Sequence, residues 1–295
     1  MQRTFFSKRI ALGSIGAVLG LVVIAAGFAY WNLWDRYQVL ESDKLALEER
    51  LGIKEEDLSQ VQDEKVNLQS ELEGEREKVQ DLGKEVGDIA ETVGVLDKLS
   101  KLDAELLQKY SKVSFLNEHY IPSSLSPISM EYRIDAERNL LIHSSVLSYL
   151  EDMLSDAKDD GVEMYVTSAY RSFGTQSSLK AGYIVTYGAG TANSFSADQG
   201  YSEHQLGTTV DVTTKDIGVG LSGFGSTDAY IWLQENAYKY GFILSYPSGN
   251  AYYIFEPWHW RFVGVKLARD LHRQGESFYG VDQREIDKYL VYIFD

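Results

Sequence analysis

"YSEHQLGTTVDV", residues 201–212, sets a histidine seven residues before an aspartate that lies between two valines. A buried carboxylate costs several kcal/mol unless something pairs with it. Either "TVDV" is exposed or Asp211 has a partner. On one straight strand, a separation of seven would send His204 and Asp211 to opposite faces. Gly207 lies between them and can supply a turn. His204 is then expected before the turn and Asp211 on the strand after it.

The 295 residues include no cysteine. Disulfides and thiolate ligands are therefore excluded, and any metal must be held by His, Asp or Glu. A catalytic zinc needs three such ligands and an open fourth position. His204 and Asp211 are two candidates. The third is His259, in "YYIFEPWHWRF" (252–262). Glu256, three residues earlier, is a candidate base for taking a proton from water. It can approach His259 only if the backbone is not a straight strand, and Pro257 argues against one. Taken singly, each of these residues is as well explained by core packing or a turn.

The flanking sequence is globular in composition from residue 113 onward and holds all four prolines, Pro122, Pro127, Pro247 and Pro257. "YIPSSLSPIS" (120–129) reads as an extended loop. "LIHSSVLSYLEDMLSDAKDDG" (141–161) reads as an amphipathic helix with Leu147, Leu150, Leu154 and Ala157 on one face and Gly161 as its stop. "VEMYVTS" (162–168) alternates as a half-buried strand does. "TDAYIWLQENAYKYG" (227–241), capped by Thr227, and "FVGVKLARDLHRQG" (262–275) read as further helices. Helices and short strands alternate irregularly, which predicts one α+β domain over 113–295. His143 and His272 fall on predicted helices outside the two motifs, and with His119 they read as structural or surface residues.

Toward the N-terminus the composition changes. Residues 35–112 contain 21 acidic and 12 basic side chains and no proline. One heptad register fits from Leu40 to Ser100, and 13 of its 18 core positions are apolar. Such a narrow stripe predicts a coiled-coil stalk, most simply a parallel homodimer. A lone charged helix or a helical hairpin is the alternative, since Gly74, Gly83, Gly87 and Gly94 lower helix propensity. The chain's net charge of −16 resides mostly in this segment and argues against general affinity for nucleic acid.

Before the stalk, an uncharged stretch runs from Ile10 to Trp31, long enough to cross a bilayer. Arg3, Lys8 and Arg9 precede it, and Trp31, Trp34 and Tyr37 mark its far end. This predicts residues 1–9 inside, a transmembrane anchor at 10–31, and the rest outside. A cleaved signal peptide, with Gly27 and Ala29 near the cleavage site, is the other reading.

"SAYRS" (168–172), "GYSEHQLGTTVDV" (200–212), "GFILSYP" (241–247) and "EPWHWRF" (256–262) occur in that order. Together they resemble the VanY-like zinc D-alanyl-D-alanine carboxypeptidases, relatives of the D-Ala-D-Ala dipeptidases. The family pattern, Ser-x-His-x-x-Gly-x-x-x-Asp followed by Glu-x-x-His, is met by Ser202, His204, Gly207, Asp211, Glu256 and His259. The resemblance covers residues 130–292 and neither the anchor nor the stalk. Leu206, Thr208 and Thr209 depart from residues common in the family, without touching a ligand position.

The resemblance implies a compact α+β zinc-peptidase domain with a small antiparallel sheet and flanking helices. It implies that His204, Asp211 and His259 hold Zn²⁺. Glu256 is then the general base, and Arg171 faces the scissile carbonyl. Gln176 and Ser202 shape the substrate site, while Tyr201 and Trp258 frame the pocket. The expected activity is removal of the C-terminal D-alanine from peptidoglycan stem peptides, outside the bacterial cytoplasmic membrane. L,D-carboxypeptidase or endopeptidase action on the same peptides, or a non-catalytic wall-binding scaffold, are the alternatives. The intact ligand set argues against the scaffold.

Overall fold

The computed structural model describes residues 3–109, 116–250 and 253–295, with side chains from Gly16 onward except Ser194 and Phe195. Two units are distinguished, residues 1–88 and 89–295. One helix, α1 (Arg3–Ser100), makes up the described part of the first and enters the second. It passes its glycines unbroken, which removes the hairpin alternative. All thirteen apolar heptad positions, from Leu40 to Leu96, are exposed on it. By length and composition its N-terminal part can cross a membrane, a property signal sequences share. The side chains of Arg3, Lys8 and Arg9, which carry the expected orientation, lie outside those described.

The helix ends at Ser100, with the heptad register, whereas composition extends the expected stalk to Lys112. The following residues join the globular unit instead. Leu106 and Leu107 are fully buried in its core. Arg261 Nη2 donates to the carbonyls of Leu106 (2.8 Å) and Gln108 (2.9 Å), and Gln283 Nε2 donates to that of Leu107 (3.0 Å). Local helix propensity is overridden because these carbonyls and leucines find partners in the domain. Residues 101–109 thus pack with the globular unit, while residues 110–112 lie outside the described segments.

The second unit has two antiparallel sheets. β1 (Leu125–Pro127) pairs with β2 (Leu141–His143). The segment at 141–143 was expected to be helical, but backbone pairing with β1 makes it a strand. The helix proper, α2 (Leu147–Asp159), buries Leu150, Met153, Leu154 and Ala157. β3 (Tyr165–Ser168) leads to α3 (Phe173–Tyr187) and α4 (Ala189–Phe195). Next come β4 (Thr209–Thr213), α5 (Asp228–Asn236), β5 (Phe242–Leu244), β6 (His259–Phe262), α6 (Val265–Gln274) and α7 (Gln283–Asp287). Thr227 caps α5, accepting from the Tyr230 amide at 3.2 Å, as its sequence position predicts.

The larger sheet has the order β3-β4-β6-β5, so β4 and β6 are central. Every residue of both is buried. Val210, Val212, Trp260 and Phe262 belong to the same apolar core as Leu150 of α2, Leu233 of α5 and Leu267 of α6. Alternation along the strands leaves Thr209, Asp211 and Thr213 for the opposite face. That is how an aspartate comes to lie between two core valines.

Candidate metal centre and active site

Asp211 on β4 is directly opposite His259 on β6, and Thr209 is opposite Arg261. Cross-strand partners share a face, so Asp211, His259 and Arg261 all project from the same side of the sheet. His204 comes from a single helical turn, Glu203–Leu206, that Gly207 closes at φ 71°. A side chain at Gly207 would be strained by that φ, and its Cβ would lie 3.0 Å from Pro122 Cγ and 3.2 Å from Leu125 Cδ2. The turn that the spacing required is thus present, and it brings His204 onto the strand that follows it.

The two imidazoles are oriented by their outer nitrogens. His204 Nδ1 lies 2.8 Å from the Ala169 carbonyl, which can only accept, so Nδ1 carries the hydrogen. Its Nε2 then presents a lone pair 3.2 Å from Asp211 Oδ2. His259 Nε2 lies 2.9 Å from Glu203 Oε2, and its Nδ1 lies 3.2 Å from Asp211 Oδ1. The rings meet edge to face with centroids 5.0 Å apart. One donor atom from each of His204, Asp211 and His259 falls within 4.8 Å of the others, and all three residues are buried. Two nitrogens and one oxygen converging in this way are a donor set that suits zinc.

The electrostatics favour a cation at this point. Burial alone would raise Asp211, but His204 and His259 hold its carboxyl well below the usual range. Burial, with Arg171 nearby, pushes His204 down to about 4. Burial also works against a charged His259, yet hydrogen bonds to Asp211 and Glu203 raise it to about 10. A neutral His204 with a free lone pair, beside a site that strongly attracts positive charge, is what a metal ion requires.

Glu256 precedes the turn into β6; the His259 amide donates to its carbonyl at 3.1 Å. Its Oε2 lies 3.6 Å from His259 Nδ1. Burial raises its carboxyl to about 7, against the pull of His259. Arg171 follows β3, its amide bonded to the His204 carbonyl at 3.1 Å. Burial depresses its guanidinium, with Asp211 opposing. Its Nε is buried without a hydrogen-bond partner among the described residues.

All of these side chains line one cavity of about 550 Å³. Gln176 and Ser202, both buried, and Trp258 line it too. Gln176 Nε2 donates to the Ala197 carbonyl at 2.7 Å, while its Oε1 has no partner among the described residues. Tyr201 does not line the cavity; its carbonyl accepts from Tyr253 Oη at 3.1 Å. His143 lies on β2 and stacks on Phe294, away from the cavity.

Sequence reasoning overlooked the aromatic wall. Tyr246 is buried and stacks on the His259 ring at 4.6 Å, and Tyr253 packs on Tyr246. Tyr183, Tyr187, Val219 and Leu221 complete the rim. The clustering of tyrosines in "SYP" and "YYIF" beside the Glu256 motif was the available signal. Glu203, within the opening stretch itself, was also passed over.

A sequence profile described as "VanY: D-alanyl-D-alanine carboxypeptidase" matches residues 139–265. The putative carboxypeptidase YodJ of Bacillus subtilis is 34% identical over 169 residues, 56% of this chain and 62% of that protein. A D-alanyl-D-alanine carboxypeptidase of Enterococcus faecalis is 32% identical over 180 residues, 57% of this chain and 64% of its own length. The chain thus spans somewhat less than two thirds of these curated relatives. Among solved structures, the LdcB LD-carboxypeptidase superposes with a TM-score of 0.55 at 32% identity, over 61% of this chain and 88% of that one. The ordered motifs, the folded domain and these similarities agree: the chain belongs to the VanY-like D-alanyl-D-alanine carboxypeptidase family.

Proposed function

We propose that the chain is a zinc-dependent carboxypeptidase that removes the terminal D-alanine from peptidoglycan stem peptides. The observation that carries this reading is the convergence of His204 Nε2, Asp211 and His259 Nδ1 on one point of a cavity that also holds Glu256 and Arg171. His204, Asp211 and His259 would hold the ion. Bound there, zinc supplies Lewis acidity, easing deprotonation of water and polarising a carbonyl.

The remaining work falls to the chain's own groups. Glu256 Oε2 takes the proton of the attacking water and later delivers it to the leaving amine. Burial raises this carboxyl above its ordinary range, which favours its taking up a proton and later releasing it. The guanidinium of Arg171 offsets negative charge that develops on the carbonyl oxygen. Gln176 Oε1, an unused acceptor, is suited to an N–H of the peptide. Tyr246 holds the His259 ring flat and keeps water from its face.

The test uses the full-length chain in detergent micelles with zinc and synthetic stem peptides, with products read by mass. Loss of one D-alanine from the pentapeptide is expected. No cleavage of any stem by protein with zinc bound would refute the reading. The likeness to the LD-carboxypeptidase structure supports a second reading, cleavage of the tetrapeptide. Release of D-alanine from the tetrapeptide alone would select it.

The apolar N-terminal part of α1 is proposed as a membrane anchor with the catalytic domain outside. The thirteen exposed heptad residues are proposed as a homodimer seam, because a stripe of that kind is stable only when covered. Sedimentation of the full chain in micelles is expected to give a dimer; a monomer at all accessible concentrations removes the seam.

A further inference from the structure

The mechanism leaves the buried charge of Glu203 without a task. Glu203 is fully buried, and both of its oxygens are engaged. Oε1 accepts from Arg261 Nη1 and from Tyr279 Oη, each at 2.7 Å. Oε2 accepts from His259 Nε2 at 2.9 Å. Arg261 is itself fixed by the Leu106 and Gln108 carbonyls, and its guanidinium lies over the Phe278 ring at 4.6 Å. The carboxylate is therefore held from one side and presents its second oxygen to the histidine.

An ionised carboxylate only accepts hydrogen bonds, so the contact places a ring hydrogen on Nε2. Asp211, also a carboxylate, faces Nδ1 at 3.2 Å and accepts the other ring hydrogen; an ion held there would replace that hydrogen and leave Nε2–H on Glu203. We propose that Glu203 is a positioning residue: it fixes the tautomer and the angle of the His259 ring so that Nδ1 is offered to the metal. This inference rests on the zinc reading of the same site. Outer carboxylates of this kind commonly orient a ligating histidine and raise its basicity, and their loss costs about 10–100-fold in metal affinity. The competing explanation is that Glu203 serves only to neutralise Arg261.

The two explanations separate in the full-length chain. In zinc-loaded wild-type protein labelled with ¹⁵N-histidine, His259, assigned with the His259→Gln chain, is expected to carry its hydrogen on Nε2. A hydrogen on Nδ1 would overturn the inference, and this measurement depends on no variant of the network. Zinc dissociation constants, measured by competition with a chromophoric chelator, provide the second arm. Arg261→Met removes the cation but leaves Glu203 on His259. It is compared with the double variant Glu203→Gln/Arg261→Met, in which no unpaired charge is left. The double variant is expected to bind zinc about 10–100-fold more weakly than Arg261→Met. Equal constants in the two folded chains would show that Glu203 is only a counter-charge. A wild-type chain that takes up no zinc would overturn the metal reading itself, and this inference with it.

Discussion

Asp211 illustrates how much one residue can disclose. An aspartate inside "TVDV" demanded a partner; its carboxylate lies 3.2 Å from His259 Nδ1 and 3.2 Å from His204 Nε2, whose lone pair a shared cation would occupy. Glu256 is near these groups but supplies no converging donor atom, and this separates binding from turnover. Glu256→Gln is expected to retain stoichiometric zinc while kcat falls by about 10²–10⁴; metal analysis and steady-state kinetics on the same sample decide it, and an unchanged kcat removes Glu256 as the base. Arg171→Ala is expected to lower kcat by about 10²–10³, as loss of one transition-state donor does. If instead only KM rises, the guanidinium binds ground state and transition state alike. The motif residues were legible because each is a chemically costly choice at its position. Tyr246 was not: an aromatic before Pro247 fits any core, and only folding lays it on the His259 ring.

At the scale of elements, the site is a strand pair and a turn. The register of β4 against β6 sets Asp211 opposite His259, and the Gly207 turn adds His204. Gly207→Ala puts a side chain into left-handed backbone, at about 1–2 kcal/mol before any clash. The contacts with Pro122 and Leu125 add to that. A lower thermal midpoint together with weaker zinc binding is expected; a stable chain with wild-type affinity would show that the turn does not position His204. The turn was visible in the sequence because odd spacing around a glycine has few solutions. The strand at 141–143 was not, because "LIH" is apolar and sits beside a helix start. Its identity is decided by β1, about fifteen residues away in the chain.

For the whole molecule, the heptad register ends at Ser100, where α1 also ends, while composition carries the expected stalk on to Lys112. "AELLQK" (104–109) has helix-forming composition, and nothing local announces that Arg261 and Gln283 will claim its carbonyls. A chain beginning at residue 113 loses Leu106 and Leu107 and leaves the Arg261 guanidinium with fewer acceptors. Each buried leucine contributes about 2–5 kcal/mol. That shorter chain is expected to melt well below one beginning at residue 101, as calorimetry would show. Equal midpoints would mean that the segment is not part of the domain's core.

The same segment bears on the site. Residues 101–109 follow directly on the last turn of α1, and Leu106 and Gln108 grip Arg261, which grips Glu203, which touches His259. The stretch that follows α1 is therefore three polar contacts from a candidate metal ligand. A change in residues 101–109 is expected to reach His259 through this run of contacts.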